Sequence, residues 1–132
     1  MHGGRMGDSD MTKAEAMYTF WSSFGVAAYE EGSMPDGAAF PFITYPIVIG
    51  DWGQAVFTTA DLWYRMTSLG EINDKTNEIA RRIGLGGVQL PCDRGFIQMY
   101  CGDPWAKLMG DPDDDMIRRM HLNILARFNT RP

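Results

Sequence analysis

The stretch from Met120 to Asn129 constrains the fold more than any other. Its even positions hold Met120, Leu122, Ile124, Ala126 and Phe128. Its odd positions hold His121, Asn123, Leu125, Arg127 and Asn129. A period of two sustained this long predicts a strand with one face on a core. The other face offers Arg119, His121, Asn123 and Arg127 to water or a partner. An acidic turn, Asp111-Pro112-Asp113-Asp114-Asp115, leads into it. A long, late, two-faced strand suits a small sheet protein that builds assemblies better than it suits an enzyme.

Such a strand needs neighbours. Gln54 to Met66 is the second long one: Val56, Thr58, Ala60, Leu62 and Tyr64 share one face, and Phe57, Thr59, Asp61, Trp63 and Arg65 the other. Both faces carry aromatics: one is expected to pack on helices, and the other is too apolar for a fully solvated surface, which points to a subunit contact. Phe40 to Ile49 is rich in β-branched and aromatic residues, but Pro41 and Pro46 cannot donate to a ladder. It is therefore expected at an edge, or bulged near Pro46. Val88 to Pro91 and Gly95 to Cys101 read as short strands joined at Cys92-Asp93-Arg94. Gly102 to Asp115 reads as a long connection.

Thr12 and Glu15 have capping-box spacing, and so do Ser68 and Glu71. After the first, Ala14, Met17, Tyr18, Trp21 and Phe24 form an apolar stripe that Gly25 stops. After the second, Ile72, Thr76, Ile79, Ala80 and Ile83 form another, which Gly84 ends. Glu71, Asp74, Lys75, Glu78, Arg81 and Arg82 face water. Glu30 to Ala39 is a loop, and Gly50-Asp51-Trp52-Gly53 turns the chain. The expected fold is α+β: a single-layer antiparallel or mixed sheet of about five strands, with two helices packed on one face. The 132 residues suffice for one domain. Residues 1–11, Gly-rich and polar, read as a flexible arm, and 12–132 as the domain.

Apolar residues make up 45% and charged residues 22%, which excludes a wholly disordered chain. A net charge of -5 argues against nonspecific binding to a nucleic-acid backbone, although Arg81-Arg82 and Arg118-Arg119 are local basic spots. No apolar run approaches the roughly 20 residues of a spanning helix. The first residues hold no apolar signal core, so a cytoplasmic protein is expected. Cys92 and Cys101 then read as two free thiols rather than a disulfide.

Chemistry-bearing motifs are sparse. Asp113-Asp114-Asp115 offers oxygen ligands, but consecutive side chains diverge and no calcium-loop pattern follows, so it reads as a solvated turn. Gly84-Leu85-Gly86-Gly87 follows a helix, the reverse of a phosphate cradle, and reads as helix termination. His121 has no Ser or Cys nucleophile at motif spacing. No catalytic residue, cofactor or metal site is assigned, and the chain is not expected to be an enzyme. Trp105, with Leu108 and Met109 nearby, either folds back on the core or docks on a neighbour.

Several strings together carry a resemblance: Phe42-Ile43-Thr44-Tyr45; Leu62-Trp63-Tyr64-Arg65 with Ser68, Glu71 and Ile72; Ile79 and Ile83-Gly84 with Gly86-Gly87; Gly102-Asp103-Pro104-Trp105-Ala106; and Asp111-Pro112 with Asp114-Asp115-Met116-Ile117-Arg118-Arg119. Over about residues 12 to 130 the chain resembles small minor tail proteins of long-tailed bacteriophages, of the tail terminator or tail completion type. The resemblance implies an α+β subunit that closes into a hexameric ring on the head-proximal end of the tail tube. Its implied partners are other copies of itself, the tail tube protein and the head-tail connector protein. DNA would pass through the lumen without specific binding, and the protein would reside in the virion neck after assembly in the host cytoplasm. The resemblance brings no catalytic residues and no role for Cys92 or Cys101. With the two-faced strands, it makes Trp63, Arg65, Trp105, Asp113, Asp114, Arg119, His121 and Arg127 the expected subunit or tube interface. The basic residues of the last strand would meet solvent, the next subunit's Asp113 to Asp115, or lumenal DNA. A rival expectation is a small ligand-binding or regulatory domain, with a pocket between sheet and helices near Trp21, Trp63 and Tyr100. A third is a hydrolase using the acidic turn.

Overall fold

The computed structural model describes residues 11–65 and 69–132. Of the expected arm only Met11 is among them, and its carbonyl accepts a hydrogen bond from the Asp93 amide at 2.7 Å. The order is α1 (Lys13–Trp21), β1 (Ala27–Glu30), β2 (Phe42–Tyr45), β3 (Gln54–Arg65), α2 (Gly70–Ile83), β4 (Val88–Cys92), β5 (Gly95–Gly110) and β6 (Ile117–Thr130). The fold is α+β, as the periodicities predict. The six strands form one mixed, curled sheet in the order β1-β2-β3-β6-β5-β4, in which only the β1–β2 pair is parallel.

The pairing of β3 with β6 is the spine. It runs without a break from Gln54↔Phe128 to Arg65↔Ile117. Because the register is continuous, the alternations of the two strands superimpose. Ala60, Leu62, Leu122, Ile124, Ala126 and Phe128 all reach one core, each at most 1% exposed. Helices cover this face. Ile72, Ile79 and Ile83 of α2 enter the same cluster, as do Met17, Phe20 and Trp21 of α1. Full burial of each such side chain stabilises the fold by about 1.5–3 kcal/mol. Thr76, the polar member of the α2 stripe, is satisfied by donating to the Ile72 carbonyl at 2.8 Å.

The Thr12–Glu15 capping box forms in both directions. The stripe above it differs from expectation. Ala16 and Phe20 are buried, whereas Tyr18 is 52% exposed. Apolar residues occupy two adjacent faces of α1, and the sheet takes the one centred on Met17, Phe20 and Trp21, which the turn Ser22–Phe24 extends with Phe24. The expected Ser68 cap lies outside the described residues. Gly84, with φ 76°, terminates α2.

Two strand assignments change. β1 was not foreseen: four residues between Gly25 and Gly32 are too few to show a period. It takes the edge, so β2 is an interior strand between β1 and β3. Pro41 and Pro46 flank β2 rather than sit in it, and therefore remove no donor from its ladder. The expected connection from Gly102 is instead the second half of β5. Register passes from Cys101↔Ile124 to Ala106↔Leu122, so three extra residues bulge out of β5. Inward-facing residues are odd before the bulge (Ile97, Met99) and even after it (Ala106, Leu108). That change of phase hides the strand from a period-two reading. A Cβ on Gly102 would meet the Asn123 backbone at 2.9 Å, so glycine is the residue that fits there.

Both cysteines are free. Cys92 pairs with Gly95, six positions along β5 from Cys101, a separation of about 20 Å that no disulfide spans. Burial pushes both thiols above their ordinary pKa.

Candidate interaction surface

The face of the sheet turned away from the helices is organised by register into rows. One row runs Tyr29, Thr44, Asp61, His121, Lys107 across β1, β2, β3, β6 and β5. The next runs Phe42, Trp63, Arg119, Met109. Opposite residues on one face are close enough to interact directly. His121 Nδ1 and Asp61 Oδ1 are 2.8 Å apart. Arg119 Nε lies 3.7 Å from the same oxygen, and its guanidinium sits 5.3 Å from the Trp63 ring centroid. The Trp63 indole donates to Thr44 Oγ1 at 2.9 Å, and its ring stacks on Phe42 at 6.1 Å. Asp61, only 7% exposed, is a buried carboxylate with two basic partners, as burial of a charge requires. Thr44, Asp61, Trp63, Met109, Arg119 and His121 line an open groove of about 510 Å3, with Glu31, Met34, Thr59 and Lys107.

Further along, Phe57, Leu125 and Tyr100 form an apolar row across β3, β6 and β5. Phe57 is 83% exposed and the other two are half-buried. No helix among the described residues covers this row.

The expected interface residues separate into groups. Trp63, Arg119 and His121 come together in the groove. Arg65 and Asp114 form an ion pair with each other. Asp114 also accepts the Met116 amide at 2.9 Å, and Arg65 holds its carboxyl below the ordinary value. Asp113 stays exposed in a turn closed by Asp111, whose carboxylate accepts the Asp113 and Asp114 amides. Arg127 donates to the Gly53 carbonyl at 2.6 Å. Basic groups of the last strand thus find acceptors within their own chain. Trp105 is half-buried beside the bulge and packs on the core, and its indole N–H meets no acceptor among the described residues. The pocket expected near Trp21, Trp63 and Tyr100 does not exist as drawn. Trp21 lies in the core, 1% exposed and stacked on Tyr45, whereas Trp63 and Tyr100 lie on the opposite face. The alternation of β3 and β5 separates them.

The loop from β2 to β3 carries a residue whose importance the sequence reading missed. Asp51-Trp52-Gly53-Gln54 is a tight turn, with the Gln54 amide donating to the Asp51 carbonyl at 3.2 Å. Both central residues have positive φ, Trp52 at 61° and Gly53 at 74°. Asn, Asp or Gly ordinarily fills the first of these positions. Trp there costs about 1–2 kcal/mol. Yet the indole is 65% exposed. A Trp in a Gly-Asp-Trp-Gly turn was the available signal.

No known family model matches this chain, and no curated protein matches it either. No helix among the described residues is long and apolar enough to cross a membrane.

Proposed function

We propose that this chain is a structural subunit of a long-tailed phage virion, a tail terminator. On this reading copies close into a ring, six in number by resemblance, that caps the head-proximal end of the tail tube and joins it to the head connector. One observation carries the assembly part: the helix-free face keeps Phe57, Leu125 and Tyr100 in one apolar row, with Phe57 83% exposed. An apolar surface of this kind marks an interaction site. The sequence resemblance supplies the identity of the assembly. A net charge of -5 agrees with a lumen through which DNA slides without being gripped. The reading assigns no chemistry to the chain, no cofactor and no enzyme activity, and places the protein in the virion neck.

Light scattering and electron microscopy of the protein, alone and mixed with tail tube protein, test it. Rings or capped tubes are expected; a strict monomer in both samples sinks the reading. A second reading, a small ligand-binding domain, draws on the groove beside Trp63, Asp61, His121 and Arg119. It expects a monomer or dimer whose melting temperature rises with a bound small molecule.

A further inference from the structure

Three basic side chains meet at the β5–β6 end of the groove. Lys107 stands directly across the ladder from His121, and Arg119 lies one row further along the same face. The chain as a whole is acidic, with 17 Asp and Glu against 12 Lys and Arg. Yet at this end the one carboxylate among the described lining residues is that of Asp61. It is 7% exposed and is shared by His121 and Arg119. Glu31, the other acid of the lining, follows β1, at the far side of the sheet in the order β1-β2-β3-β6-β5. With His121 neutral, Lys107 and Arg119 against Asp61 leave a single positive charge unmatched. Like charges this close repel one another unless an anion lies between them.

The donors are open as well. Arg119 turns its Nε toward Asp61 at 3.7 Å, and its Nη2 meets the Met109 sulfur at 3.0 Å, a weak acceptor. Lys107 Nζ has no acceptor among the described residues. Asp61 on one side and the Trp63 ring on the other hold the guanidinium in place. A group positioned in advance loses little freedom when a ligand arrives, and the planar fork of arginine matches a carboxylate. The walls beside these donors are apolar and adaptable: Trp63, Met34 and Met109. A groove of about 510 Å3 has the size of a small-molecule site.

We propose that the groove binds a small organic monocarboxylate with an apolar body. Its carboxylate sits between Lys107 and Arg119, and its body lies over Trp63 toward Met34. Glu31 at the far end repels a carboxylate and so sets the orientation. One unmatched charge is complementary to a monoanion rather than to a polyphosphate. The proposal rests on the ligand-binding reading and names its ligand class. It is compatible with assembly, because the Phe57 row occupies a different stretch of β3 from Asp61 and Trp63.

Ligand-observed NMR titration tests it with three probes of one shape: phenylacetate, its uncharged amide phenylacetamide, and the cation phenethylamine. The proteins are wild type, Lys107→Gln, Lys107→Arg and Arg81→Gln, each also followed by thermal melting. Lys107 is exposed on β5, and Arg81 is exposed on α2, outside the groove, so these changes should leave the fold intact. Wild type is expected to bind phenylacetate at least about 10-fold more tightly than phenylacetamide. Lys107→Gln should lose about 10-fold for phenylacetate. Lys107→Arg, which keeps the charge, should retain most of the affinity, and Arg81→Gln all of it. If the amide or the amine binds as well as the acid, the carboxylate is overturned and the ligand-binding reading stands. Equal affinities of wild type and Lys107→Gln also overturn the proposal, as does an equal loss in Lys107→Arg or Arg81→Gln. If no probe binds and none raises the melting temperature, the proposal and the ligand-binding reading fall together.

Discussion

On β6 the residues turned toward the helices, from Met120 to Phe128 at every second position, are at most 7% exposed. Their neighbours, turned the other way, include His121 on Asp61, Arg119 over Trp63, and Leu125 beside an exposed Phe57. The same strand therefore serves two environments. The inner face is stabilised by close packing, where shape decides energy. The outer face is stabilised by a few directed polar and aromatic contacts and leaves the rest of its apolar surface uncovered. Stability belongs mostly to the inner face, and the uncovered apolar surface to the outer face and its adjoining turn.

Substitutions can break that division. Phe128→Ala, on the inner face, should cost about 3–5 kcal/mol in urea unfolding; a loss under 1 kcal/mol would mean that the core is far looser than its burial indicates. Asp61→Ala should cost about 2 kcal/mol, since it leaves Arg119 and His121 without their shared acceptor. If that cost vanishes, the polar row is a surface decoration rather than a support.

Acid should sharpen the contrast between the polar ties and the core. Lys13 lowers the pKa of Asp51, and Arg65 that of Asp114, from an ordinary 3.8. A carboxyl with a lowered folded pKa binds its proton less readily when folded than when unfolded. Its contribution is complete above the unfolded pKa, and is lost as pH falls from there through the folded value. Urea midpoints should thus drop on going from pH 6 to pH 3, and by less in an Asp51→Asn/Asp114→Asn double variant. An equal drop in both proteins would assign acid sensitivity to other carboxyls. The smallest effect is expected at Phe57→Ser, whose ring is 83% exposed: monomer stability should stay within about 0.5 kcal/mol. A larger loss would place Phe57 in the fold and remove the main support for an interaction face.

Much of the architecture was legible because period two is a direct consequence of backbone geometry. β3 and β6 could be divided residue by residue into two faces, on β6 with the core face identified, and α2 followed from its isoleucines and Gly84. Reading failed where period was absent or interrupted. β1 is four residues long. β5 changes phase at Cys101, so its second half resembled a loop. Tyr18 was placed inside because two helical faces are equally apolar in the sequence. The polar cluster was half legible: Asp61 and Trp63 were placed on one face of β3, and Arg119 and His121 on the polar face of β6, but alternation says nothing of register, and register joins them. Trp52 escaped because turn residues are usually read for their backbone, and here the unusual fact is the side chain.

The bulge in β5 has a consequence for how this chain can change over time. Inserting one residue into a regular stretch of β3 or β6 would turn every later side chain to the wrong face. At Gly102 to Trp105 the extra length loops out before pairing resumes at Ala106. Residues can be gained or lost there while Lys107 and Met109 keep their facing. The segment is an expansion joint, and variants of different length should tolerate each other's sequences best at this point.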